Sequence, residues 1–369
     1  MHLLTLRLEN FRNYNQLTVA FQKGVNILYG ANGAGKTSVL EAIYYLALIR
    51  SFRTHQDTHL VQKGKEMFRI QGVFETPQGS SFQAHVAFSR QQGKVLSLNH
   101  ERVTRFVDYI GTVPVVLIAP ADLTISQSGP QARRRFLDIM LSQSNKLYLH
   151  HLKEYKRALK SRNWLLKQES IDTAQLATWE ALLARHGAAI IRKRQETVEQ
   201  LSQRVRHLFQ ELSHTDDKVK LIYQTGIALE QNNLEEALQQ RFAATRQNDI
   251  ALQTTTVGPH RDDVLFLLNG MPFRQVGSQG EHKTLIVALK LAEFQYLQQI
   301  HASPPILLFD DIFGELDARR IASMLTRITE MGQVFVTTTS RNFFEKLHEI
   351  PTSLHYYYVK DGTITAEAA

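Results

Sequence analysis

Residues 25–48 constrain this chain more tightly than any other stretch. Val25 to Tyr29 is an apolar run of strand length. After it comes Gly30-Ala31-Asn32-Gly33-Ala34-Gly35-Lys36-Thr37, which spells G-x-x-x-x-G-K-T, followed by Ser38. Val39, Leu40, Ile43, Leu46 and Ala47 then recur on one helical face. Strand, glycine-rich loop and helix in that order form the context that a phosphate-binding P-loop requires. The glycines let the backbone turn and bring its N–H groups up to phosphate oxygens. The helix N-terminus adds partial positive charge. Lys36 is placed to reach the β- and γ-phosphates of a nucleotide, and the Thr37 hydroxyl to hold Mg²⁺. The expectation is an α/β fold that binds a nucleoside triphosphate.

A second stretch completes such a site. Pro304-Pro305 launches Ile306-Leu307-Leu308-Phe309-Asp310-Asp311, an apolar strand ending in paired carboxylates. Asp310 is then placed to hold the Mg²⁺ bound by Thr37. Asp311 is a candidate to orient or deprotonate the attacking water, and its short side chain predicts slow turnover. Capping acids at a strand end are the plainer reading. Gly314-Glu315-Leu316-Asp317 precedes another helical pattern, with Asp317 as N-cap.

The rest of the chain surrounds these two elements. Leu4, Leu6 and Leu8 alternate with polar residues as a half-buried strand, and Leu17 to Phe21 reads as its partner. The turn between them carries Arg12 and Asn13, either beside the nucleotide or as an ordinary polar turn. Arg50 to Thr54 is a basic loop, and Phe68 to Val103 reads as antiparallel hairpins. Val113 to Ala119 is a buried strand closed by Pro120. From Gln131 to about Leu212 the pattern is helical and charged, with Trp179 and His186 read as core.

Arg133, Arg134, Arg135, Lys153, Lys156, Lys160, Arg192 and Lys193 cluster in this helical insert. They form either a solvated face or a phosphate-contacting one. The net charge of +8 favours a polyanionic partner. No base-reading motif is present, so backbone and shape recognition is expected. The chain contains no cysteine, which excludes disulfides and thiolate chemistry. No long uncharged apolar run and no signal-peptide pattern occurs, so a soluble intracellular protein without a membrane partner is expected.

The motif series resembles the Walker A, signature, Walker B and D-loop elements of ABC-type ATPases, with Ser278-Gln279-Gly280 as the signature. More closely, the chain resembles the RecF family of bacterial recombinational-repair ATPases. The likeness rests on the opening Leu-x-Leu-x-Asn-Phe-Arg-Asn-Tyr and on Pro120-x-Asp122-Leu123 through Arg133-Arg134-Arg135-Phe136-Leu137-Asp138. Gly258-Pro259-His260-Arg261-Asp262-Asp263 and Ala288 to Glu293 extend it. It departs from the family pattern at Glu281-His282-Lys283, where glutamines and then arginine are usual, and at Ala121.

The resemblance implies an ABC/SMC-type P-loop ATPase head, a mixed sheet core plus an antiparallel β subdomain, with an inserted helical arm. The expected boundaries are 1–121 and 254–369 for the head and 122–253 for the arm. It also implies ATP and Mg²⁺ as cofactors and an ATP-dependent homodimer in which Ser278 and Gly280 face the nucleotide of the partner, with Asp317 close by. DNA, RecR and RecO are the implied partners, at gaps or junctions of single- and double-stranded DNA, in the nucleoid-associated cytoplasm. Loading of RecA, with slow ATP hydrolysis as the reset, is the implied activity. The competing reading is the ATPase subunit of an ABC transporter. The long basic insert and a last core strand ending Thr337-Thr338-Thr339, without the transporter histidine, argue against it.

Overall fold

A computed structural model of the chain describes residues 1–228, 233–301, 303–312, 332–339 and 353–367. Contacts divide it into two units, Met1–Asp122 with Lys290–Ala369, and Leu123–Leu289.

The alternating leucines at the start build β1 (His2–Phe11), which pairs antiparallel with β2 (Tyr14–Ala20) and sets Leu6 opposite Val19 and Leu8 opposite Leu17. The strand β3 (Val25–Tyr29), buried from Val25 to Leu28, leaves that sheet and feeds α1 (Lys36–Leu48). The chain then returns through β4 (Met67–Glu75), β5 (Ser81–Ser89), β6 (Gly93–Leu98) and β7 (Glu101–Arg102). These complete an antiparallel sheet of order β2-β1-β4-β5-β6-β7. A short α2 (Phe106–Tyr109) leads to β8 (Val115–Ile118).

The second unit opens with α3 (Leu123–Gln127) and α4 (Pro130–Ser144), the latter with its proline at the helix start, where a missing N–H costs nothing. Asn145 caps α5 (Lys146–Leu165), and Asp172 caps the 41-residue α6 (Thr173–Ser213). Then follow β9 (Val219–Gln224), α7 (Leu234–Leu252), β10 (Asp263–Leu268), β11 (Met271–Pro272) and α8 (Phe273–Val276). Asn269 and Gly270 both take positive φ, the turn that a two-residue hairpin between β10 and β11 demands. The unit boundary falls inside α9 (Gln279–His301), between Leu289 and Lys290.

This division differs from the boundaries expected from sequence, which placed residues 254–289 with the head. β10 is laddered to β9, and the Arg133 guanidinium is bonded to Asp263, so the segment is tied to the helices.

The first unit closes with β12 (Ile306–Asp310), β13 (Val334–Thr338), β14 (Leu354–Lys360) and β15 (Thr363–Ala366). They join β3 and β8 in a mixed sheet of order β15-β14-β3-β13-β12-β8. α1 lies between the two sheets of this unit, touching β4 and β5 on one side and β8, β12 and β13 on the other. That placement explains why it is buried almost all round. Phe21 meets Phe335 and Tyr357 edge-on where the sheets approach.

Candidate functional site

The loop after β3 turns through residues that only glycine fills well. Gly35 has φ 117°, and a Cβ there would lie 2.6 Å from Asn13 Nδ2 and 2.7 Å from the Tyr14 hydroxyl. At Gly30 it would sit 2.2 Å from the Val359 carbonyl. The turn between β1 and β2 braces the loop: Asn13 Nδ2 donates to the Ala34 carbonyl at 3.1 Å and the Tyr14 hydroxyl to the Gly35 carbonyl at 3.2 Å. Lys36 Nζ reaches back over the loop to the Gly30 and Ala31 carbonyls, at 2.7 and 2.8 Å. Burial lowers its affinity for the proton, opposed by the nearby Asp311 and Asp310.

The Thr37 hydroxyl donates to Asp310 Oδ1 at 2.7 Å, joining α1 to the end of β12. β13 runs between β3 and β12, and its Thr337 donates to the same oxygen at 2.9 Å while accepting from the Asp311 N–H. Burial pushes the Asp310 carboxyl up from its ordinary value, while the Thr37 and Thr337 hydroxyls pull it down. Asp311 takes φ 51°, a left-handed conformation that aspartate tolerates better than most residues.

Around these groups lies a cleft of about 480 Å³ lined by Arg12, Asn13, Asn32, Gly33, Gly35, Lys36, Thr37, Ser38, Arg53, His59, Val61, Asp311 and Thr337. Thr37 and Asp310 offer two hard oxygen donors side by side, a set that fits Mg²⁺. Residues expected from three separate stretches thus meet in one place. Thr337 carried no signal beyond its position at a strand end. Arg12 lines the cleft, but its guanidinium is committed to the buried Glu41 of α1 and to the His59 carbonyl.

Ser278 and Gly280 lie in the second unit at the start of α9. Ser278 N–H donates to Glu281 Oε2 at 2.7 Å, and Glu281 N–H to the Ser278 hydroxyl at 3.3 Å. This reciprocal pair is a capping box, a role that glutamate and the glutamine usual in the family fill alike. His282 Nδ1 bonds the Ser126 hydroxyl at 2.9 Å, and its ring meets Phe273 edge-on. Asp317 lies outside the described residues.

The basic residues of the insert divide into two groups. Arg133 donates to both oxygens of Asp263, and Arg134 to the Asp262 carbonyl, so these two tie α4 to the segment at the start of β10. Arg135 is half-buried, and Lys193 is half-buried beside Glu196. Lys153, Lys156, Lys160 and Arg192 are exposed.

The Gly258–Asp263 string proves to be a hub. Arg194 of α6 donates to the Pro259 carbonyl, to the Tyr148 hydroxyl and to Asp138. His260 lies between the Tyr155 hydroxyl, 2.6 Å from Nδ1, and the Thr255 carbonyl, 3.0 Å from Nε2. The carbonyl accepts only, so Nε2 carries the proton and Nδ1 accepts from tyrosine. Among the described residues no group of three or more His, Asp and Glu stands in metal-binding position, and no helix is long and apolar enough to cross a membrane.

A sequence model of the RecF/RecN/SMC N-terminal domain matches residues 2–364. The DNA replication and repair protein RecF of Streptococcus suis is 38% identical over 368 residues, covering 99% of both chains. A solved structure of the recombination mediator protein RecF-ATP in the RecFOR pathway superposes with a TM-score of 0.92 at 30% identity, over 100% of this chain and 98% of that one. An Smc head domain with an extended coiled coil, from Pyrococcus furiosus, gives a TM-score of 0.58 at 17% identity over 100% of this chain and 96% of that one, a likeness of fold alone. The architecture is the ABC/SMC-type P-loop ATPase head with a helical arm inserted. At this coverage and identity the chain belongs to the RecF family, within the wider group that shares the RecF/RecN/SMC N-terminal domain.

Proposed function

We propose that this protein is an ATP-dependent DNA-binding ATPase of recombinational repair, assembled into a dimer by the nucleotide. The observation that carries the reading is the Thr37–Asp310 hydrogen bond, which brings the phosphate loop and the acidic strand end together from 273 residues apart. A relative whose name includes DNA replication and repair, and a structural neighbour solved with ATP, support it.

In this reading the loop from Gly30 to Ser38 wraps the phosphates, and Lys36 leaves its carbonyls for the β- and γ-oxygens. Mg²⁺, held by Thr37 and Asp310, would supply charge neutralisation on those oxygens. Asp311 orients the attacking water, and Asn13 keeps the loop in register. Ser278 and Gly280, at the N-terminus of α9, face the nucleotide of a second copy, with Asp317 close by. The helical unit binds the DNA backbone through Lys153, Lys156, Lys160 and Arg192. RecR and RecO are the proposed partners, at single-strand gaps or junctions, with RecA loading as the outcome and slow hydrolysis as the reset. The proposed location is the cytoplasm, on the nucleoid.

Sedimentation and nucleotide titration test this together. The expected result is a monomer that dimerises with Mg-ATP, a Lys36→Ala variant that loses ATP binding with its fold intact, and a Ser278→Arg variant that binds ATP but stays monomeric. Equal masses for wild type and Ser278→Arg in ATP overturn the dimer assignment.

A further inference from the structure

Trp164 is 63% exposed at the end of α5, an unusual position for the largest apolar side chain. The inward face of this helix carries Tyr148, Leu152, Tyr155, Ala158, Arg162 and Leu165. At 3.6 residues per turn, Lys153, Lys156, Arg157, Lys160 and Trp164 follow one another along the opposite face, and all five are exposed. Lys167, just past the helix end, is exposed as well. Glu154 is the one acidic residue of α5, and it is half-buried. Lys156 and Arg157 reach carboxylates only at 3.4 and 3.8 Å, with side chains 63% and 74% exposed. The second tryptophan, Trp179, packs against Leu165, Leu166 and Leu176. An apolar neighbourhood therefore exists within one turn of Trp164, yet the phase of the helix turns its indole to solvent.

We propose that this face of α5 binds single-stranded nucleic acid, with its cations along the phosphates and the Trp164 indole stacked on an unpaired base. The proposal rests on the reading of α5 as a DNA-contacting face and names what that face selects. Each turn of the helix, about 5.4 Å, advances the row of cations by one step, which lays a polyanion lengthwise along it. Inside a duplex both faces of every base are covered by neighbours, so an exposed indole finds a free π-face only on single strands and at strand ends. A protein docked on the indole would have to desolvate Lys160 and Lys167 beside it, whereas a phosphate chain pairs with them.

The chain has two tryptophans, so the full-length Trp179→Phe variant leaves Trp164 as the sole indole reporter. It is titrated with oligothymidylate and with a duplex of equal phosphate number whose ends are closed by hairpins, and binding is read independently by anisotropy. Single strands should quench the emission in step with binding, and the closed duplex should not. Trp164→Ala should weaken oligothymidylate binding roughly tenfold and leave duplex affinity within about twofold, with Trp164→Phe retaining most of the single-strand affinity. If Trp179→Phe fails to fold, the difference in quench between the unsubstituted protein and Trp164→Phe supplies the same reading.

Lys153→Glu with Lys160→Glu should weaken both ligands. If that pair acts as expected but the emission is unmoved and Trp164→Ala is neutral, stacking is overturned and the DNA-contacting face stands. If the charge reversals change neither affinity nor salt dependence, the face itself is wrong and the proposal falls with it. A Trp164→Ala variant that keeps full oligothymidylate affinity but loses binding to RecR makes the indole a protein anchor, which also overturns stacking.

Discussion

The buried Glu41 carboxylate is gripped at two points by Arg12, with Nε 2.8 Å from one oxygen and Nη2 2.7 Å from the other. The Ser51 hydroxyl adds a third bond, and Arg53 stands 3.6 Å away. The contact ties the turn after β1 to α1 on the wall of the candidate cleft. Arg12→Ala leaves a carboxylate buried without its main partner, and a loss of about 3 kcal/mol is expected. Adding Glu41→Ala should restore part of it. Urea denaturation of the two variants measures both, and equal stabilities would show that the pair has no such role.

Gly35→Ala addresses the loop without touching a charge. The new methyl meets Asn13 and Tyr14 at under 3 Å, at a backbone angle that alanine resists. The loop must shift, and nucleotide affinity should fall by roughly tenfold or more, since one such step is only about 1.4 kcal/mol. Titration with a fluorescent ATP analogue reads it. Unchanged affinity would mean that the loop is not the phosphate cradle.

Glu281 caps α9, so its removal should act on the helix before it acts on any ligand. Glu281→Ala is expected to cost about 1 kcal/mol, read as a lower thermal midpoint, with Glu281→Gln largely neutral because an amide oxygen also accepts from the Ser278 N–H.

His260 makes stability depend on pH. Burial lowers its pKa from 6.5 to about 4 in the folded chain. As pH falls below 6.5 the unfolded chain takes up the proton first, so the contribution is complete above 6.5 and is lost progressively down to about 4. Its full size is about 3 kcal/mol, from 1.36 kcal/mol per pKa unit. Urea unfolding at pH 7 and pH 5 should show a steeper loss for wild type than for His260→Gln. Parallel slopes would remove His260 as the cause.

Arg133 and Lys153 should behave as opposites although both lie in the basic insert. Arg133→Gln breaks the two-point bond to Asp263 and should lower stability. Lys153→Glu with Lys160→Glu should leave stability nearly unchanged and reduce the salt slope of duplex binding by roughly 1.8, for two phosphates no longer neutralised. Salt titration by anisotropy, paired with a thermal melt, separates the two behaviours.

What the sequence reveals here is whatever local pattern encodes. β3 and α1 are visible because an apolar run, three glycines and a helical stripe lie within 24 residues, and β12 because its apolar run ends in acid. The hub around His260 was visible as a distinctive string, but its role was not, since its partners Tyr155 and Arg194 come from helices about 65 to 105 residues away. Thr337 was silent for the same reason: nothing near it in sequence marks Asp310 as its neighbour. The basic residues misled at Arg133 and Arg134 because charge alone does not distinguish a free surface cation from one tied to a neighbouring carboxylate or carbonyl, whereas on α5 the helical phase separates the exposed cations from the buried Arg162.

The order of strands in the mixed sheet has a consequence for how the chain is made. β3, which carries the phosphate loop, lies inside the sheet between β13 and β14, with Val25 opposite both Val334 and Leu354. Its neighbours are therefore synthesised some three hundred residues after it. The meander of β1, β2, β4, β5 and β6 closes on local contacts and can form early, while the apolar edges of β3 stay unpaired until β13 and β14 have been made. During that interval the nascent protein exposes a sticky strand and has no assembled ATP site. Assembly of the cleft thus waits for β12 and β13, and β3 is the place where a chain lacking them would aggregate or engage a chaperone.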